Sequence, residues 1–189
     1  MTFIGNDIMF FENNSQTFSR NNVIKKILSD NEIKLFNYTH NHINLIIAWT
    51  IKESIYKILC KEGYKKAFTP KHITVTEYCF SENETHTGTA IFNNKRYFFN
   101  SQINNEFVYS YASNKLETLN KTHHHFFRNN ILNNSSLSNP YFKSFLKSKN
   151  WQITHTENGF PKITNSNQNI DISISHDHNL MIACNCEIF

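Results

Sequence analysis

Between Ile43 and Tyr64 apolar residues recur at helical spacing, and no other stretch constrains the fold so tightly. Ile47, Ile51, Ile55 and Ile58 fall on one stripe of the predicted helix, with Trp49, Glu53, Tyr56 and Lys57 on the opposite side. Glu53 and Lys57 stand one turn apart, where an ordinary surface ion pair is worth about 0.3 kcal/mol. Pro70 closes the region. From Ile73 to Ala112 the pattern changes to strands rich in Thr, Phe, Tyr and Val: ITVTEYCF, GTAIF, KRYFFN and EFVYSYAS. Asn93-Asn94 between the second and third reads as a hairpin turn. The expected class is α+β, an antiparallel sheet packed against a long helix.

The flanking segments are shorter. Residues 3 to 10 are β-compatible, with a tight backbone spot at Gly5-Asn6-Asp7. Residues 20 to 38 read as one or two short helices, with Ser29-Asp30-Asn31-Glu32 resembling a capping segment ahead of Ile33, Leu35 and Phe36. Residues 115 to 140 are polar and asparagine-rich and read as a loop or a short helix; a helix around Tyr141 to Lys149 follows. Gly159-Phe160-Pro161 is a turn. Ile170, Ile172 and Ile174 alternate with Asp171, Ser173 and Ser175, as in a half-buried strand, and a further strand begins at Leu180. No internal repeat is visible, and 189 residues suit one domain.

Asparagine supplies 29 of the 189 residues, which would suggest disorder were it not for an aromatic share of 14%. Seventeen Phe, eight Tyr and two Trp can build a core. No apolar run approaches the roughly 18 residues that cross a bilayer, so no membrane partner is expected. The beginning of the chain has Asp7 and Glu12 and no basic stretch ahead of an apolar one, which points to the cytoplasm. Cys60, Cys79, Cys184 and Cys186 are too few and too irregular for a disulfide framework. A net charge of +4 is compatible with an anionic partner, but no nucleic-acid-binding signature accompanies it.

Three segments combine unusual polar residues with a rigid setting. Asp7 follows a glycine on a strand, Lys52, Glu53 and Lys57 share the long helix, and Ser173, Ser175 and His176 end a strand. Carboxylate oxygens suit Mg²⁺, a hard cation commonly held by one or two acids plus substrate phosphates. A nearby lysine and a histidine suit phosphate oxygens. Together these parts would handle a pyrophosphate ester with a metal. Three consecutive histidines, His123 to His125, cannot all converge on one ion from a helix or a strand, and no metal site is expected there.

IGNDI, WTIKESIYK and GFPKI…ISISHD resemble the three signature regions of the 4′-phosphopantetheinyl transferase superfamily. The middle region is matched at Trp49, Lys52, Glu53, Ser54 and Lys57, and the last at Gly159, Pro161, Ser173, Ser175 and His176. Their order resembles that of the holo-acyl-carrier-protein synthases. The resemblance implies a 4′-phosphopantetheinyl transferase-like fold and transfer of phosphopantetheine from coenzyme A to a serine of an apo acyl or peptidyl carrier protein, leaving 3′,5′-ADP. It further implies that Asp7 and Glu53 hold Mg²⁺ and that Glu53 acts as base toward the serine. Lys57 would neutralise phosphate charge, and Ser175 and His176 would meet coenzyme A, with Lys52 a further candidate for the same anion.

Met9 stands where the larger branch of that family has a second acid, and Phe160 replaces a frequent basic residue, with Lys162 close by. Residues 73 to 158 exceed what the small branch needs. They would complete a pseudo-twofold fold in one chain or form an insertion on a trimeric scaffold. Two other readings stay open: a non-catalytic member that binds carrier protein or coenzyme A, and a basic nucleic-acid-binding protein. Together Asp7, Glu53 and Lys57 favour the enzyme.

Overall fold

The computed structural model describes residues 2–12, 18, 21–36, 42–65, 67–81, 85–128 and 139–186. Strand β1 (Ile4–Phe10) is followed by the short helices α1 (Asn21–Ile27) and α2 (Asp30–Leu35), then by α3 (His42–Lys61), the 20-residue helix announced by the isoleucine stripe. Ser29 and Glu32 form a reciprocal capping box at the start of α2. Four strands follow: β2 (Thr74–Ser81), β3 (Thr85–Phe92), β4 (Lys95–Ile103) and β5 (Phe107–Ser113). The Asn93-Asn94 turn has both residues in the left-handed region, φ 48° and 63°, as a two-residue hairpin of primed type requires. These strands and β1 make an antiparallel sheet in the order β1-β5-β4-β3-β2.

α3 lies on this sheet with Ile47, Ile51, Ile55 and Ile58 all buried, in one core with Ala90, Tyr97, Phe99, Val108 and Ala112. Contact is closest at β1. A Cβ on Gly5 would stand 1.9 Å from the carbonyl oxygen of Ser54, so only glycine lets strand and helix meet there.

The rest of the chain differs from the expectation of one sheet. Helix α4 (Leu116–Asn120) leads into β6 (His123–Arg128), and after α5 (Pro140–Ser148) come β7 (Gln152–His155), β8 (Pro161–Thr164), β9 (Asn169–Asp177) and β10 (Leu180–Asn185). They form a second antiparallel sheet, ordered β6-β10-β9-β8-β7, with its own core of Phe142, Leu146, Trp151, Ile163, Ile172 and Met181. The histidine run thus sits in a strand, not in a loop or helix, because β10 pairs with it from Asn185↔His123 to Leu180↔Arg128. Residues 129–138 of that expected loop lie outside the described residues.

The two sheets meet where β9 runs alongside the open edge of β1. Side chains of β9 occupy that edge. Asp171 Oδ2 accepts from the Ile4 amide at 3.1 Å, Ser173 Oγ from Asn6 at 3.0 Å, and Asp177 Oδ2 from Phe10 at 2.7 Å. An unpaired strand edge is therefore satisfied by carboxylates and a hydroxyl instead of by another backbone. For this reason the polar face of β9, expected to be solvated, buries Ser173 and Ser175.

Candidate active site

The seam between α3, β1 and β9 collects the charged residues. Lys61, at the end of α3, is nearly buried and donates to the Ile4 and Ile172 carbonyls and to both oxygens of Asp171, each at 2.9 Å. One turn earlier, Lys57 donates to the Asn6 carbonyl at 2.7 Å and to Asp7 Oδ1 at 3.2 Å. An ammonium has three protons, so one N–H of Lys57 remains for a further acceptor. One turn earlier again stands Glu53, half-buried, whose carboxylate has no hydrogen-bond partner among the described residues.

Burial raises the pKa of Asp7; Lys57 opposes the shift and the charge of Asp177 adds to it. Burial also pushes Glu53 up, to about 7, with the Asp7 charge adding and Lys57 opposing. Two mutually repelling acids with free oxygen lone pairs make a donor set that fits a hard divalent cation. Among the described residues no three His, Cys, Asp or Glu side chains converge on a common metal position, so this chain offers two carboxylates and other oxygens would complete the shell.

The expected site residues do not all gather here. Asp7, Glu53 and Lys57 do. His176 is exposed beside Asp177, at the end of β9 that reaches Phe10. Ser175 is buried, and its hydroxyl accepts from the Asn6 amide group at 2.9 Å; the same group donates to the Ile182 carbonyl at 3.1 Å. Lys52 does not join the site: it is fully buried on another flank of α3, donating to the Ile27 carbonyl at 2.6 Å and pairing with Glu32 at 2.8 Å. Glu32 in turn accepts from the Val75 amide at 2.8 Å, tying α2, α3 and β2 together. Lys52 therefore has no free proton-bearing face for an anionic ligand. Its wheel neighbours Ala48, Leu45 and Leu59, all buried, were the signal that it points inward. Asn6, Asp171 and Asp177 were not singled out by sequence reasoning, although Asp171, Ser173, Ser175 and Asp177 recur with a period of two. Phe160 of the Gly159-Phe160-Pro161 turn lines a cleft of about 460 Å³ that adjoins the seam at Lys61 and Asp171 and also takes in Lys162.

A family model described as the 4′-phosphopantetheinyl transferase superfamily matches residues 3–112, more than half of the chain. The chain belongs to this superfamily. The matched range takes in Asp7, Glu53 and Lys57, as well as β2 to β4 and all but the last residue of β5, strands that lie within the 73–158 stretch that exceeds what the small branch needs. In this phosphopantetheinyl transferase the second sheet, with Ser175 and His176, lies outside the matched range. Comparison with curated proteins and with solved structures gives no significant match. Among the described residues no helix is long and apolar enough to cross a membrane.

Proposed function

We propose that this member of the superfamily transfers the 4′-phosphopantetheine group of coenzyme A to a serine of an apo acyl or peptidyl carrier protein, in the cytoplasm, with Mg²⁺ and release of 3′,5′-ADP, in the manner of a holo-acyl-carrier-protein synthase. The observation that supports it most is the unpartnered Glu53 carboxylate, set beside Asp7 and one turn from Lys57. A carboxylate oxygen left free at that place can take the serine proton as the hydroxyl oxygen attacks phosphorus. The bond that breaks joins that phosphorus to the bridging oxygen of the pyrophosphate, and 3′,5′-ADP departs with the electron pair. Lys57, anchored by Asn6 and Asp7, has an N–H left to stabilise charge on the departing phosphate. His176 is exposed and suits a phosphate of coenzyme A. Asp7 and Glu53 would hold the cation, which when bound would neutralise pyrophosphate charge as a Lewis acid. The net charge of +4 suits an acidic carrier.

The test is to incubate the protein with coenzyme A, Mg²⁺ and a panel of apo carrier proteins and to weigh the carriers. A gain of one phosphopantetheinyl group, abolished in Glu53→Ala and Asp7→Ala, is the expected result. Coenzyme A binding without transfer to any carrier would instead identify a binding-only member.

A further inference from the structure

The second sheet reaches the candidate active site through one side chain, the fully buried Asn6 of β1. Its carboxamide donates to Ser175 Oγ on β9 at 2.9 Å and to the Ile182 carbonyl on β10 at 3.1 Å. Its backbone amide donates to Ser173 Oγ at 3.0 Å. Toward the helix, its own carbonyl accepts from Lys57 Nζ at 2.7 Å, and the neighbouring Asp7 Oδ1 takes a second proton of that ammonium at 3.2 Å. Three hydrogen bonds from the second sheet thus converge on the residue whose carbonyl holds Lys57.

The partners settle which way the carboxamide points. A backbone carbonyl only accepts, so the atom facing Ile182 is the nitrogen, and its two protons go one to each strand. At Ile4 and Phe10 it is a backbone amide that reaches β9. Asn6 adds two bonds from its side chain, and it does so at the peptide bound to Lys57. Ser175 and Ile182 both lie beyond residues 3–112, so these bonds join the superfamily core to the part of the chain outside the match.

We propose that Asn6 and Ser175 are positioning residues for Lys57. The family resemblance would bring Ser175 to coenzyme A; in this chain its hydroxyl is buried against Asn6 and acts through that carboxamide, while the adjacent His176 is exposed. The pair is divided, one side chain turned to the protein and the other outward. A lysine with two protons on fixed acceptors presents its third in a fixed direction. Stabilising charge on a departing phosphate depends on that aim. The kinetic consequence rests on the transferase reading; the link from Ser175 to Lys57 does not.

Wild type and Ser175→Ala are compared in two ways. In the metal-free protein, NMR follows the Lys57 ammonium and its scalar coupling across the hydrogen bond to the Asn6 carbonyl carbon. Lys61 is the internal control, since it binds the same strand at the Ile4 carbonyl. The expected result is a Lys57–Asn6 coupling in the wild type that is lost in Ser175→Ala while the Lys61–Ile4 coupling persists. With coenzyme A, Mg²⁺ and a carrier, Ser175→Ala should lower kcat about tenfold, the rate equivalent of one hydrogen bond, at an unchanged KM for coenzyme A. Asn6→Ala should give the same pattern, so the outcome does not hang on one substitution folding. A coupling absent from the wild type, or unaltered in the variants, overturns the proposal. Loss of both lysine couplings overturns it too, since that is general loosening. A raised KM at unchanged kcat would return Ser175 to coenzyme A. If no carrier is modified, the transferase reading fails, and the couplings still decide what holds Lys57.

Discussion

At the scale of single residues, three side chains of one motif have different fates although they lie within six positions. Lys52 is locked against Glu32, Glu53 is unpartnered, and Lys57 is shared between Asp7 and a carbonyl. Glu53 gives a pH signature. Its folded pKa is about 7 against an ordinary 4.5, so between those values the folded state binds more protons than the unfolded one. Stability of the metal-free protein then falls as pH rises from about 4.5 to about 7 and levels off above. Glu53→Gln removes that loss. Thermal melts should show the variant more stable than the wild type at pH 8, by on the order of 1–3 kcal/mol, and no more stable at pH 4.5. Carrier modification in Glu53→Gln should be lost at every pH. Gly5→Ala is the opposite kind of change: its methyl would collide with the Ser54 carbonyl, and urea titration should show a loss of about 3 kcal/mol or outright failure to fold.

At the scale of elements, the buried Lys52–Glu32 pair joins two helices to a strand edge. Burial pushes the Lys52 ammonium down and the Glu32 charge supports it. Removing one partner strands the other, so Lys52→Met should cost about 3–5 kcal/mol, while the double variant Lys52→Met with Glu32→Gln should recover much of it. A double-mutant cycle by denaturant unfolding measures this. α3 and β2 to β5 were legible in the sequence because their apolar periods of 3.6 and 2 are satisfied locally, by one face each. β6 was not: HHHFFR has no alternation and becomes a strand only because β10 lies beside it. The inward turn of Lys52 was half legible. Its wheel position between buried neighbours was visible, but its partner Glu32 sits on another helix, and no spacing rule links them. Asp7, Glu53 and Lys57 were found through the motif. The role of β9 in capping β1 was not, since hydrogen bonds across 167 positions leave no local trace.

At the scale of the whole molecule, two sheets with their own cores are joined by polar side chains laid along one strand edge and by a third apolar cluster of Ile8, Tyr109, Tyr111, Leu119, Leu180 and Ile182. That makes the first sheet dependent on the second for its solubility. A truncated chain of residues 1–113 would present the bare edge of β1, and light scattering should find it associated or aggregated under conditions where the full chain is not. Ser173→Ala, which strips the acceptor from the buried Asn6 amide, should destabilise the full chain by about 1–3 kcal/mol. It should also disturb the amide signals of β1 more than those of β3. The same arrangement governs synthesis. As the polypeptide leaves the ribosome, the strand bearing Asp7 emerges 167 positions ahead of the residues that cover its edge. Until they follow, that edge is an open invitation to foreign strands, and folding that waits on so distant a pairing is slow. Nascent chains of this protein should accordingly be heavy clients of ribosome-associated chaperones until β9 and β10 are out.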